Sequence, residues 1–151
     1  TARAVNDGVP ALLASRIEHL LARVGSRRVC LLGATYKADV ADIRASPALT
    51  LRALLAEAGC EVTTYDPLVA PQHGCIGDVR SAMRDVGLCV VLVDHRAILE
   101  LDPALLADVV ASRHILDTRH CLDVARWQEA GFTVFRLGDG TRSLDRAAVS
   151  A

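Results

Sequence analysis

At 151 residues with a formal charge of −1, 52% hydrophobic and 23% charged, the sequence suits one ordinary domain with a full core and a solvated surface. The balanced charge and 3% aromatic content argue against a nucleic-acid partner, which calls for a basic excess and stacking rings. No apolar run approaches the roughly 20 residues that cross a bilayer, so no membrane role is expected.

In chain order, "ALLASRIEHLLARV" (11–24) sets Leu12, Leu13, Ile17, Leu20, Leu21 and Val24 on one helical stripe, with Arg16, Glu18 and Arg23 off it. The preceding "TARAVNDGVP" reads either as a helix end interrupted by Gly8 and Pro10 or as a turn. From residue 27 strands and helices alternate. "RRVCLLGA" predicts a buried strand. "SPALTLRALLAEAG" predicts a helix capped by Ser46, begun by Pro47 and closed by Gly59. "CEVTTYDP" is a second strand, "DVRSAMRDV" a short helix, and "GLCVVLVDH" a third strand of continuous apolar character. "DPALLADVVA" follows as a helix with Asp102 as cap and Pro103 at its start. Then come strand "HILDTR", helix "CLDVARWQEAG" and strand "FTVFRLG".

This alternation predicts an α/β fold: a doubly wound, Rossmann-like parallel sheet of about five strands preceded by a helix. The expected strand order is 3-2-1-4-5, with strands 1 and 4 adjacent where the winding reverses. The organisation is read as a connecting helix (1–26), an α/β domain (27–138) and a mobile C-terminal tail (139–151). Five cysteines, an odd count without a C-x-x-C pair, favour reduced thiols in a cytoplasmic protein over a disulfide framework. The "HGC" at 73–75 lacks the partners a zinc site needs, and no metal is expected. A chain opening on Thr1 reads as trimmed or as a fragment.

Ligands of such sheets bind beyond the carboxyl ends of the strands, at the switch point. With the expected order, the loop after strand 1 (34–46) faces the loop after strand 4 (117–121). The first carries Lys37 and Arg44, the second Arg119 and His120, so three permanent cations are expected at one crevice, where the helix starting at Pro47 adds its dipole and free N–H groups. That set suits a diphosphate better than a single carboxylate. The competing reading pairs Lys37 and Arg44 with Asp39 and Asp42 on an exposed loop, to little effect. Loop length favours the ligand site, since strand-to-helix connections are usually 2–6 residues.

Other chemistry finds less support. The G-x-G-x-x-G cradle of a dinucleotide site is absent, because Ala34, Thr35 and Lys37 stand where glycines belong. Asp66, at the end of strand 2, is read as a turn former before Pro67. Asp94 and His95 end strand 3; a catalytic dyad is conceivable, and capping or hydrogen bonding to a loop is the expected role. Cys121 beside His120 is a sequence neighbour rather than a positioned pair.

The string "LLGATYKADVADIRASPALTLRALLAEAGCEVTTYDP" resembles the opening of the C-terminal domain of UDP-glucose/GDP-mannose dehydrogenases, with G-x-x-(aromatic)-K, then D-x-R-x-S-P, then Y-D-P. "ARAVND" resembles the end of that family's central helix, and "VVLVDH" and "ILDTRHCLD" resemble its later strands. The resemblance implies part of an NAD-dependent nucleotide-sugar 6-dehydrogenase, which oxidises the sugar C6 alcohol to a carboxylate for polysaccharide biosynthesis. It implies NAD held mainly by an N-terminal half, and a catalytic cysteine that this chain does not supply. By the same resemblance Tyr36, Lys37 and Arg119 contact the UDP-sugar or related nucleotide sugar, and Arg44 reaches the NAD pyrophosphate. The family's usual acidic residue after the arginine is Ala45 here. The segments "VDH" and "DTRHCLD" look closer to the branch acting on UDP-N-acetylhexosamines than to the UDP-glucose branch. Two other readings stand beside it: an assembly module that forms a homodimer through residues 1–24, and an independent regulatory domain binding another phosphorylated metabolite.

Overall fold

The computed structural model describes residues 2–44 and 46–137, with side chains from Val9 onward; Ala45 and the expected C-terminal tail lie outside them. Helix α1 (Ala2–Val24) leads into β1 (Arg28–Leu32), α2 (Pro47–Glu57) and β2 (Glu61–Tyr65). A 3-10 turn (Pro71–His73) and α3 (Val79–Met83) precede β3 (Leu88–Val91). Two one-turn helices, α4 (Arg96–Leu99) and α5 (Pro103–Leu106), then lead to β4 (His114–Asp117), α6 (Val124–Glu129) and β5 (Thr133–Arg136).

The caps legible in the sequence operate as expected. Ser46 and Asp102 each accept a backbone N–H of the helix they precede, and Pro47 and Pro103 occupy first-turn positions where no N–H is missed; Asp123, not anticipated, caps α6 in the same way. Asp78 does the same for α3 through Ser81. Two differences concern helices. α1 runs unbroken through Pro10, which is buried and forgoes one backbone bond. The expected "DPALLADVVA" helix shrinks to one turn, and α4 adds a turn that periodicity did not announce.

All strands are parallel, in the order β2-β1-β3-β4-β5, which corrects the expected 3-2-1-4-5. β3 lies against β1, pairing Cys30 with Cys89 and Leu32 with Val91. The physical reason is burial. β3 is apolar at every position and wholly buried, so it needs a strand on each side and a helix on each face. β2, "EVTTY", is exposed at its start and buried only at its end, as suits an edge. The winding therefore reverses between β1 and β3.

Strand alternation sends side chains to two cores. Val29, Leu31, Leu88, Val90, Leu116 and Phe135 face α1 and α2, while Cys30, Leu32, Cys89, Val91, Ile115 and Val134 face α3 and the later helices. α1 joins the first core through Ile17, Leu20 and Leu21, each fully buried and each worth about 1.5–3 kcal/mol of hydrophobic stabilisation. At the end of β1, Gly33 has φ +104, and a Cβ there would stand 2.7 Å from that of Val93. Glycine is required where the loops after β1 and β3 cross so closely. No helix among the described residues is long and apolar enough to cross a membrane.

Candidate ligand cleft at the carboxyl edge of the sheet

Two buried carboxylates organise the loops at the carboxyl ends of the strands. Asp66, fully buried after β2, does form the expected turn by accepting Leu68 N–H at 2.9 Å. Its second oxygen does more: it accepts Ala34 N–H at 2.7 Å and His95 Nε2–H at 2.9 Å. Burial alone would raise its pKa. The His95 hydrogen bond and the amides of Ala34 and Leu68 outweigh burial and hold it below the ordinary carboxylate value. Asp117, also fully buried, gathers the loop after β4 by accepting the N–H groups of Arg119, Cys121 and Leu122 at 3.0, 2.9 and 3.0 Å.

His95 lies in the loop after β3, at the N-cap of α4, with its side chain 1% exposed. Its Nδ1 receives the Asp39 N–H at 2.8 Å and must therefore be unprotonated. The accounting assigns a neutral ring with the proton on Nε2, shared between Asp66 and Thr35 Oγ1 at 3.1 Å. Thr35 can accept because its own hydroxyl proton goes to the Lys37 carbonyl. This is the loop-bonding role expected for His95, not an exposed dyad.

Between the first half of α1, the start of α2 and the loops after β1 and β4 lies a cleft of about 400 Å³. Leu12 and Leu13 give it an apolar wall; Thr35, Tyr36, Thr118 and Arg119 line the sheet side. Loops 1 and 4 thus meet as expected even though β3 separates their strands, because both turn over the end of that one intervening strand. Arg119 stands 3.8 Å from Asp94 Oδ1, with its side chain 54% exposed.

Of the expected residues, Tyr36 and Arg119 line the cleft, while Lys37 and Arg44 do not. Lys37 is exposed on the same loop, next to Tyr36. Arg44 is 89% exposed and held by Asp42 through bonds of 3.0 and 3.1 Å, the pairing that the competing reading describes. That pairing lowers the Asp42 pKa and raises that of Arg44. His120 turns its ring to the Leu137 carbonyl. The expected three-cation crevice is corrected accordingly: Arg119 reaches the cleft from the sheet, and the second lining cation is Arg16, from α1. Its place off the apolar stripe was visible, but only the packing of α1 beside α2 brings it to the cleft.

The start of α2 also differs from expectation. Pro47 has no N–H, Ala48 N–H goes to Ser46 Oγ and Leu49 N–H to the Ser46 carbonyl, so these first-turn donors are spent on the cap itself. Its dipole still favours an anion nearby. A nicotinamide dinucleotide does not fit the chain's own β1 turn, because the acid that would meet a ribose, Asp66, is buried and committed to Ala34 and His95. The thiols are not poised for nucleophilic work either: Cys121 is pushed up to about 12, first by burial and then by Asp117, and burial raises Cys30 equally. Among the described residues no cluster of three His, Cys, Asp or Glu could hold a metal.

A parallel doubly wound sheet with an anion-favouring cleft at its carboxyl edge defines a Rossmann-like binding domain. Residues 30–124 match the UDP binding domain of the UDP-glucose/GDP-mannose dehydrogenase family, and the chain belongs to that family. It is 31% identical over 144 residues to UDP-N-acetyl-D-mannosamine dehydrogenase of Methanococcus maripaludis, covering 92% of this chain and 34% of that protein. It is 28% identical over 133 residues to UDP-glucose 6-dehydrogenase of Bacillus subtilis, covering 81% and 29%. Among solved structures, UDP-N-acetyl-mannosamine dehydrogenase from S. aureus superposes with a TM-score of 0.75 at 30% identity, over 80% of this chain and 29% of the other. The chain spans about a third of the length of these relatives.

Proposed function

We propose that the chain is the nucleotide-sugar-binding domain of an NAD-dependent nucleotide-sugar 6-dehydrogenase, which oxidises a sugar C6 alcohol to a carboxylate. The observation that carries this reading is that Tyr36 and Arg119, from loops distant in sequence, line one cleft in a domain of this family. Arg119 offers a planar fork able to hold two phosphate oxygens, and Lys37 adds a mobile point charge at the rim. A unit charge pair at ~4 Å contributes about 4 kcal/mol at an effective dielectric near 20, before desolvation. Tyr36, 60% exposed, presents a ring to the base or sugar.

The oxidation itself belongs to the rest of such an enzyme: an NAD-binding half and its cysteine nucleophile. Arg44 is assigned to the cofactor's pyrophosphate, a role in which the phosphate would replace its present partner Asp42. The enzyme acts in the cytoplasm, where five free thiols stay reduced. Its similarity to UDP-N-acetyl-D-mannosamine dehydrogenases favours a UDP-N-acetylhexosamine as the sugar.

Titration of the chain with UDP, UDP-glucose and UDP-N-acetylmannosamine tests this reading. Saturable binding that Arg119→Ala weakens at least tenfold is expected. Binding that is indifferent to Arg119 and Lys37 overturns the site. Equal competition by unrelated phosphometabolites favours a regulatory domain instead.

An assembly role accompanies binding. Val9 and Leu12 on α1, at the α1 side of the cleft, are 48% and 58% exposed, an apolar edge that a second copy of the chain would cover at the cleft's border. Sedimentation of Leu12→Glu beside the parent chain checks it: a parent that is monomeric at all concentrations removes the dimer.

A further inference from the structure

The segment that carries Tyr36 and Lys37 is exposed at Tyr36, Lys37, Asp39 and Val40, and so gains little from core packing. Asp39 adopts φ +59, a left-handed conformation that a non-glycine residue keeps only when its surroundings hold it there. Both of its polar ends are held. Its N–H donates to His95 Nδ1 at 2.8 Å, and its Oδ1 accepts Arg96 N–H at 2.8 Å. Four residues earlier, Thr35 Oγ1 meets the other ring nitrogen of the same histidine at 3.1 Å, and Ala34 N–H shares Asp66 Oδ2 with it.

One buried imidazole therefore grips the segment on both sides of Tyr36 and Lys37. We infer that His95 is a positioning residue for nucleotide-sugar binding: its two ring nitrogens bracket Thr35 and Asp39 and set the backbone from which Tyr36 and Lys37 reach the ligand. This rests on the reading of the cleft proposed above. The bracket needs both nitrogens in distinct states, Nε2 donating and Nδ1 accepting, which only a neutral histidine of one tautomer supplies. Asp66, buried and ionised, selects that tautomer by demanding the Nε2 proton. The role differs from core filling because each nitrogen has its own task. Nε2 ties the ring to Asp66 and the sheet edge; Nδ1 restrains the loop.

The two tasks are separable by substitution. His95→Gln can place an amide N–H near the Nε2 position and keep the Asp66 bond while losing the acceptor for Asp39. His95→Asn can place an oxygen near Nδ1 and keep the Asp39 bond while losing the donor to Asp66. In the full chain, three measurements are made on each: amide exchange of Asp39, affinity for UDP, and stability to urea. For His95→Gln the Asp39 amide should exchange at least tenfold faster and UDP bind about tenfold more weakly, with the smaller stability loss. For His95→Asn the order reverses: greater stability loss, with Asp39 protection and UDP affinity within about threefold of the parent. Adding His95→Gln to the Tyr36→Ala/Lys37→Ala double variant should weaken UDP binding little further, because His95 acts through those two residues. Affinities that simply follow stability across the variants, or an Asp39 amide untouched in His95→Gln, overturn the inference. A parent chain that fails to bind UDP removes the functional reading instead, and Asp39 exchange still decides whether the bracket exists.

Discussion

Arg119 Nε lies 3.8 Å from Asp94 Oδ1, an ion pair joining the loops that follow two neighbouring strands at the mouth of the cleft. Both side chains are substantially exposed, so the pair adds little stability; its consequence is electrostatic. Asp94 competes with any phosphate for the same guanidinium. Asp94→Asn is therefore expected to tighten UDP binding about threefold at low salt, with the gain shrinking as added salt screens the exposed charges. Calorimetric titration at two salt concentrations checks this; weaker binding in Asp94→Asn would mean that the carboxylate orients Arg119 rather than competes with its ligand.

The same variant has an independent readout at Cys121, whose pKa is pushed up to about 12 by burial first, then by Asp117 and Asp94. At a thiol pKa that high, the thiolate fraction at mildly alkaline pH is roughly a thousandfold below that of an ordinary cysteine. Disulfide-exchange labelling of the folded chain should leave Cys121 unreacted for far longer than a denatured control, and Asp94→Asn should shorten that time modestly. Rapid labelling of Cys121 in the folded parent would contradict the geometry.

Gly33→Ala places a methyl 2.7 Å from Val93 Cβ and 3.0 Å from the Val93 backbone nitrogen, in a left-handed conformation. Backbone cannot yield as a flexible side chain does. A loss of roughly 2–4 kcal/mol is expected, read by urea denaturation as a lower midpoint with an unchanged slope.

Acid should weaken the fold in two stages. His114 has its pKa lowered from 6.5 chiefly by burial, and its buried Nδ1 has no partner among the described residues. The unfolded chain then takes up a proton before the folded one does, so stability falls as pH drops from about 6.5 toward the lower folded value. Asp66, held below its ordinary 3.8, contributes stability that is present above that value and is lost as pH falls through the folded pKa. Denaturation across this range should show both slopes. His114→Leu is expected to remove the upper one, and Asp66→Asn to flatten the lower one while destabilising the protein at neutral pH.

What was legible in the sequence was local. Ser46-Pro47 and Asp102-Pro103 announced helix starts because a cap acts within three residues of itself. The five strands showed as apolar runs between turn residues, and the motif around Tyr36, Lys37 and Arg44 was readable because it is contiguous. The strand order was misread although a signal existed: the unbroken apolarity of "LCVV" required an interior place that "EVTTY" did not.

The sequence by itself determined an α/β chain of alternating elements and the residue types at its loops, since capping, turn chemistry and hydrophobic period are short-range effects. Tertiary structure decided the rest: β3 beside β1, Arg16 at the cleft, Arg44 turned to Asp42, and His95 gripping a loop more than fifty positions away. Those relations depend on which buried strand must be covered on both faces and where the crossovers then carry the chain. That is a property of the whole packed core, and no window of sequence contains it.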